Sequence, residues 1–129
     1  MEKQLLISMK PEYALAILQD KKTLELRNWI PKDFKGWVNV YITKARPYYY
    51  GKVIFKFWFE NYDEINSLNK EEVLKKSCVL EEVLKKYEKG YAWHIDKLEE
   101  FKLPKTLEEF NIKKAPQKCA YVYVNKEEK

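Results

Sequence analysis

Residues 20–27 read Asp-Lys-Lys-Thr-Leu-Glu-Leu-Arg, and this stretch decides how the rest of the chain is interpreted. It follows an apolar helical pattern and then alternates, with two leucines on one side and Thr23, Glu25 and Arg27 on the other. A period of two predicts a strand with one buried face and one polar face. Glu25 and Arg27 are expected side by side, with about 7 Å between their Cβ atoms. Lys22 stands where the chain enters the strand.

The polar face of this strand has two interpretations. One carboxylate between two cations on a short strand is an arrangement that orients a polar ligand. The same residues also suit a solvated strand face, where a surface ion pair contributes only about 0–1 kcal/mol. Spacing alone leaves both interpretations open.

The chain has the length and composition of one folded domain. Its 129 residues are enough for a hydrophobic core, and its 46% hydrophobic content argues against an intrinsically disordered protein. Aromatic residues make up 16% of the chain, and several lie in the alternating run Val-Ile-Phe-Lys-Phe-Trp-Phe at 53–59. That enrichment favours a large β component. We therefore predict a single domain over residues 1–129.

The charge of the chain favours anionic partners. A net charge of +5 and a pI of about 9.0 suit RNA, nucleotides or acidic lipid, although mixed lysine and glutamate also form ordinary solvated helices. The sequence shows no N-terminal signal pattern and no apolar run of membrane-spanning length. A cytoplasmic protein with no membrane partner is expected, and a monomer is favoured over an oligomer.

The sequence lacks the residues that several kinds of catalytic site require. Cys78 and Cys119 lie far apart, match no zinc-site spacing and are expected as buried free thiols. The single histidine, His94, lies within a predicted strand and is interpreted as a packed or hydrogen-bonded structural residue. With only three glycines there is no phosphate-binding loop, and no serine or cysteine stands in a nucleophile signature. No metal site and no cofactor are predicted.

The remaining patterns give more strands than helices. Strands are predicted at 4–9, 22–27, 37–43, 52–62, 91–98 and 120–124, and helices from Pro11 to about residue 18, over 69–89 with a break at 77–78, and at 107–110. Few strands are joined by full-length crossover helices. The predicted fold class is therefore α+β, a mixed and mostly antiparallel sheet curled into a barrel, with helices against its ends.

A basic and aromatic loop over residues 44–52 is a second candidate binding element. It combines Lys44, Arg46 and Lys52 with three consecutive tyrosines at 48–50. Cations bind phosphate, and exposed aromatic rings stack on unpaired bases at about 1–3 kcal/mol per base. A barrel-end loop with half-buried tyrosines explains the pattern equally well.

The strand over 52–62 offers a third functional interpretation. Lys56 and Trp58 stand on the face opposite Phe55 and Phe57, and an exposed tryptophan often marks a protein interface. A strand covered on both sides by the barrel and the 69–89 helices is the preferred alternative.

Three segments together resemble the opening of ASCH domains, a branch of the PUA-like superfamily: Lys-Pro-Glu-Tyr-Ala at 10–14, Ile-Leu at 17–18, and residues 22–27. The hallmark of that family is a GxKxxExR motif at a helix-to-strand junction. Lys22, Glu25 and Arg27 match it, and Asp20 stands in place of the first glycine. Residues 40–44, 91–95 and 116–117 also fit the family pattern, so the resemblance spans nearly the whole chain.

The resemblance implies a small β-barrel with flanking helices and a cleft lined by the motif residues. It also implies a role in binding RNA or a modified nucleoside. In that cleft Lys22 and Arg27 would hold phosphate or base oxygens, and Glu25 would accept a base N–H or orient Arg27. The rim is expected to hold Lys10, Thr43 and Lys44.

The resemblance also carries an enzymatic alternative. Some small relatives are amidohydrolases that act on an acylated cytidine with a lysine, a threonine and a glutamate, and ribonuclease activity has been attributed to the family. Lys22 matches the lysine, but the position of the catalytic threonine falls at Glu25, and Thr23 lies one pleat earlier. A binding module is therefore preferred, with a hydrolase using Lys22, Glu25 and Thr23 as the alternative.

Overall fold

A computed structural model of the protein describes residues 1–45 and 50–125. Within these ranges the strands are β1 (Glu2–Met9), β2 (Leu24–Arg27), β3 (Gly36–Ile42), β4 (Lys52–Phe59), β5 (Tyr62–Glu64), β6 (Tyr91–His94), β7 (Asp96–Lys105) and β8 (Ala120–Val124). The helices are α1 (Pro11–Leu18), α2 (Lys70–Ser77) and α3 (Glu81–Leu84), with 3₁₀ turns at Ile65–Ser67, Lys85–Tyr87 and Leu107–Phe110. Proline is tolerated at the start of α1 because the first helical turn has no partner for its N–H.

The strands form two sheets. Five strands lie in the order β7-β4-β3-β1-β8, and three lie in the order β2-β6-β5. β1 and β3 are parallel, whereas the other pairs are antiparallel. The predicted mixed, mostly antiparallel α+β fold is confirmed.

The predicted barrel is not confirmed, because no hydrogen-bonded strand pair within the described ranges closes either sheet. β2 pairs with β6 instead of joining the larger sheet. At one outer edge of that sheet, β7 is exposed over most of its length, rich in charged residues and interrupted by Pro104. These are properties of a free edge strand.

The main core lies between β1, β3, β4 and α1, with Trp93 added from the smaller sheet. The face of β3 predicted to be apolar is fully buried there, at Val38, Val40 and Ile42. A second cluster joins Leu24 and Leu26 to α2, α3 and β6. Because the two leucines of β2 face that cluster, the polar residues of β2 are turned the other way.

The break between α2 and α3 falls at Cys78, as predicted. Asn69 caps α2 by accepting the N–H of Glu72 at 3.1 Å. Cys78 ends the helix in a left-handed conformation with φ of 59°. The Cys78 thiol is exposed, so the expectation of a buried thiol is wrong. Its Sγ donates to the carbonyl oxygens of Lys21 at 3.3 Å and Lys75 at 3.7 Å.

Two further sequence interpretations have structural outcomes. Arg46, Tyr48 and Tyr49 of the basic and aromatic loop lie outside the described residues. Trp58 is half-buried and meets the Trp37 ring edge-on, at 5.3 Å between centroids. Among the described residues, no helix has both the length and the apolar character needed to cross a membrane.

Candidate functional site

A concave cleft of about 260 Å³ opens beside the polar face of β2. Its walls come from the end of β1, the start of α1, the strand β2 and the α3 region. The lining residues are Ser8, Met9, Lys10, Tyr13, Lys22, Glu25, Leu26, Arg27, Val79, Val83, Lys86 and Tyr87. The structure thus brings four of the predicted site residues, Lys10, Lys22, Glu25 and Arg27, to one cleft.

The carboxylate of Glu25 lies between two cations. Its Oε2 accepts from Arg27, at 2.9 Å from Nε and 2.8 Å from Nη2. Its Oε1 lies 3.4 Å from the Lys22 ammonium. Lys22 is 2% exposed and Glu25 is 6% exposed, so this ion triad is shielded from water. A buried charge requires such pairing, since desolvation alone would strongly disfavour it.

The Lys22 ammonium also stabilises the end of α2. It donates to the carbonyl oxygen of Ser77 at 2.6 Å and lies 5.1 Å from the centroid of the Tyr13 ring. A cation at a helix C-terminus pairs with a free carbonyl and with the negative end of the helix dipole. Next to it, the Thr23 N–H donates to the carbonyl of Lys76 at 2.7 Å. The start of β2 is therefore tied to α2 at two points.

Arg27 joins the two sheets. Besides its bonds to Glu25, it donates from Nη2 to the carbonyl of Ser8 in β1 at 2.9 Å. The planar guanidinium suits such forked geometry. Because β1 belongs to the larger sheet and β2 to the smaller one, Arg27 fixes the distance between the two strands that flank the cleft floor.

Asp20 occupies a turn position that favours glycine. Its φ is 60°, in the left-handed region, where aspartate is tolerated better than most residues. The turn nevertheless forms, with the Asp20 N–H bonded to Ile17 and the Lys22 N–H bonded to Ala16. Replacing the motif glycine with Asp20 thus leaves the connection from α1 to β2 intact.

Sequence reasoning missed Ser8, Tyr13, Lys86 and Tyr87 as cleft residues. Burial raises the pKa of the Tyr13 hydroxyl above its ordinary value, and the nearby groups Glu12, Tyr87 and Glu25 act in the same direction. Tyr13 is therefore a neutral hydrogen-bond donor near neutral pH. Residues 83, 86 and 87 are spaced so that they lie on one face of a helix, and this spacing was a signal in the sequence for these cleft residues. It does not show which other element that face packs against.

Two of the predicted rim residues lie beside the cleft rather than in it. The Thr43 N–H donates to the carbonyl of Met9 at 3.0 Å, next to the end of β1, but Thr43 and Lys44 are not lining residues. The Lys44 side chain lies against Gly51. Lys10 is exposed at the mouth of the cleft.

Thr23 belongs to a different cavity, also of about 260 Å³. That cavity is lined by Thr23, Leu24, Asp63, Leu68, Glu72, Val73, Lys76, His94, Ile95 and Asp96. The structure therefore separates Thr23 from Lys22 and Glu25. His94 Nε2 lies 2.6 Å from Asp63 Oδ2, which confirms the expectation of a hydrogen-bonded histidine. In the part of the chain that the structure describes, no three His, Cys, Asp or Glu side chains are arranged to hold a metal ion.

Comparisons with known proteins identify the fold. No protein-family model and no curated protein matches the chain. The crystal structure of the ASCH protein from Zymomonas mobilis is similar, with 25% identity and a TM-score of 0.73 over 96% of this chain and 89% of that one.

Two single-residue variants of the same Zymomonas mobilis protein give matching results. A tyrosine-to-phenylalanine variant is 24% identical, with a TM-score of 0.74 over 95% of this chain and 91% of that one. A serine-to-alanine variant is 23% identical, with a TM-score of 0.73 over 93% and 88%. These neighbours confirm the ASCH-type fold that the motif predicted, and they support assignment to the ASCH domain family.

Proposed function

We propose that this ASCH-type domain binds RNA or a nucleotide-like anion in the cleft lined by Lys22, Glu25 and Arg27. The observation that carries the proposal is the shielded carboxylate of Glu25, fixed between two cations at the floor of a concave cleft. A few polar groups held in place within a partly apolar cavity are typical of small-ligand sites. A solvated strand face would not bury its charges to this extent.

Charge and aromatic content support an anionic ligand with a ring system. The cleft lining holds four cations against one carboxylate, and the whole chain carries a net charge of +5. Such an excess attracts phosphate-bearing ligands. Tyr13 and Tyr87 add aromatic rings to the walls, and aromatic rings stack on bases without regard to sequence.

The polar atoms at the floor suit the edge of a nucleobase. Among the described residues, Oε1 of Glu25 has only the 3.4 Å contact with Lys22, so it keeps capacity to accept an N–H. Within residues 1–45 and 50–125, Arg27 donates through Nε and Nη2, so Nη1 is available to donate to a base oxygen. An acceptor beside a donor is the complement of an amide-like base edge.

The size of the cleft favours one unpaired nucleotide. Its volume of about 260 Å³ lies just below the roughly 300–1,000 Å³ of drug-sized ligand pockets. The bases of a paired RNA helix are stacked and do not enter such a cavity, whereas unpaired bases can be splayed out into it. The ligand is therefore a free nucleotide or one splayed nucleotide of a single strand.

A hydrolase using the same cleft is the second candidate. The contact between Lys22 and Glu25 inside the cleft is the observation in its favour. The position of Thr23 in the other cavity counts against an amidohydrolase that needs this hydroxyl. Incubation with acylated cytidine and with single-stranded RNA, followed by chromatography of the products, distinguishes turnover from binding alone.

The binding proposal is tested with labelled single-stranded RNA and with free nucleotides, by anisotropy and by thermal shift at low and high salt. Binding should raise the melting temperature and weaken as salt increases. Glu25→Gln should weaken binding, whereas Lys102→Gln, at an exposed lysine of β7, should not. Absence of binding by all of these ligands would overturn the proposal.

A further inference from the structure

We infer that Lys10 and Lys86, two exposed lysines that line the cleft, bind the phosphate of the ligand, and that the buried triad recognises only its base. This inference rests on the proposed function and narrows the ligand to a phosphorylated nucleoside. It also places the phosphate at the mouth of the cleft, whereas the sequence interpretation placed it at the floor.

Lys22 is already committed to partners within the protein. Its ammonium donates to the Ser77 carbonyl at 2.6 Å and lies 3.4 Å from Glu25. With 2% exposure, it reaches no solvent-borne phosphate without leaving these partners. Leaving them would remove the cation that pairs with the Ser77 carbonyl at the end of α2 and would break one of the two ion pairs of Glu25, and breaking a buried ion pair is costly.

Arg27 is committed in the same way. Its Nε and Nη2 bond to Glu25 at 2.9 and 2.8 Å, and Nη2 also bonds to the carbonyl of Ser8. The positive charge of Arg27 is neutralised locally by the adjacent carboxylate. The two cations and one carboxylate leave the floor with a net charge of +1, but their polar atoms are mostly bonded to each other and to backbone carbonyls, so the floor suits a base better than a dianion.

Lys10 and Lys86 are the uncommitted cations of the cleft. Both are exposed, and within residues 1–45 and 50–125 neither side chain forms an ion pair or a hydrogen bond. Lys10 immediately precedes α1, and Lys86 lies in the 3₁₀ turn that follows α3. A phosphate between them would gain two charge-assisted contacts without breaking any existing pair.

The position of the aromatic side chains agrees with this orientation. Tyr87 follows Lys86 directly, and Tyr13 lies on the first turn of α1 after Lys10. Each of the two exposed lysines thus has a tyrosine within three residues of it in the sequence, and both tyrosines line the same cleft. A nucleotide whose base contacts the buried Glu25 would then place its sugar near the tyrosines and its phosphate near the exposed lysines.

The test compares ribonucleosides with their 5′-monophosphates by isothermal titration calorimetry. Wild-type protein should bind the monophosphates at least about tenfold more tightly, an advantage typical of charge-assisted contacts. Lys86→Gln and Lys10→Gln should each remove most of that advantage, because they should weaken monophosphate binding much more than nucleoside binding. Lys85→Gln is the matched control, because Lys85 is the exposed neighbour that lines a different cavity.

The source of the phosphate is distinguished by adding short single-stranded RNAs with and without a 5′-phosphate. Preference for the 5′-phosphorylated strand indicates a strand end, and preference for the monophosphate indicates a free nucleotide. Equal monophosphate affinity in wild type, Lys10→Gln and Lys86→Gln would overturn this inference while leaving the proposed function standing. Failure of every nucleoside, nucleotide and RNA to bind would overturn both.

Discussion

The ammonium of Lys22 donates a 2.6 Å hydrogen bond to the carbonyl oxygen of Ser77, a residue 55 positions away in the chain. The same ammonium lies 3.4 Å from the carboxylate of Glu25. The Lys22 side chain therefore caps the C-terminus of α2 and also pairs with the Glu25 carboxylate at the floor of the cleft. The stability of the fold and the shape of the site depend on each other through this residue.

Replacing Lys22 should be strongly destabilising. Lys22→Gln removes one partner of a buried ion pair, and we expect the free energy of unfolding to fall by about 3 kcal/mol. Urea denaturation measures it. Lys21→Gln, at the exposed neighbouring lysine, should change stability by no more than about 0.5 kcal/mol. Equal effects of the two variants would show that the Lys22 contacts contribute little to stability.

The Glu25→Gln variant tests whether Glu25 is a ligand-binding carboxylate or an ordinary surface carboxylate. The change leaves Lys22 and Arg27 close together without their counter-charge, so stability should fall by more than about 1 kcal/mol. The loss should shrink at high salt, where repulsion between the cations is screened. Nucleotide affinity should also fall, whereas inorganic phosphate should bind as well or better.

A matched control for Glu25 is Glu88→Gln, at an exposed carboxylate. That change should shift the free energy of unfolding by no more than about 0.5 kcal/mol. If Glu25→Gln behaved like Glu88→Gln in melting temperature and in both affinities, β2 would carry only a solvated polar face.

Two buried or half-buried serines should respond oppositely to removal of their hydroxyl groups. Among the described residues, the buried Oγ of Ser77 has no hydrogen-bond partner, so Ser77→Ala should be neutral or slightly stabilising. The Oγ of Ser8 donates to the carbonyl of Pro116 at 2.7 Å, and Ser8→Ala should cost about 1 kcal/mol. Thermal and urea denaturation of both variants checks the contrast, which a large loss in Ser77→Ala would contradict.

The two thiols should differ in reactivity. Burial raises the pKa of the Cys119 thiol above its ordinary value, so little reactive thiolate is present at neutral pH. The Cys78 thiol is exposed and should react first with Ellman's reagent. Separate Cys78→Ser and Cys119→Ser variants assign the two rates, and the Cys119 rate should still be rising as the pH passes the ordinary thiol value. Faster reaction of Cys119 at neutral pH would contradict its burial.

The local part of the site was predictable from the sequence. Alternation over 24–27 correctly gave a buried leucine face, and the motif spacing placed Glu25 beside Arg27. Helix caps were also predictable, for example Asn69, whose side chain accepts a hydrogen bond from the Glu72 N–H. These features depend on residues within a few positions of each other.

The rest of the site depends on contacts between distant residues. The α3 wall reaches the cleft because Lys22 and Thr23 bond to the end of α2, and no local pattern encodes that docking. The barrel expectation is not confirmed for a similar reason. Strand alternation shows which residues are buried, but it does not show that β2 pairs with β6 and not with the larger sheet.

Asp20 gives the last prediction, because it holds a conformation that glycine adopts without strain. A non-glycine residue in the left-handed region costs roughly 1–2 kcal/mol, less for aspartate. Part of the relief on substitution is lost to the greater freedom of glycine in the unfolded chain. We therefore expect Asp20→Gly to raise the free energy of unfolding by about 0.5 kcal/mol, and Asp20→Val to lower it by more than about 1 kcal/mol.

Urea denaturation of these variants is compared with Asp33→Gly, at another aspartate with positive φ, of 53°. Asp20 does not line the cleft, so nucleotide affinity should be unchanged in Asp20→Gly. If Asp33→Gly stabilised the protein while Asp20→Gly destabilised it, the carboxylate of Asp20 would itself be needed at the junction of α1 and β2. The turn would then depend on an interaction of its side chain and not on backbone conformation alone.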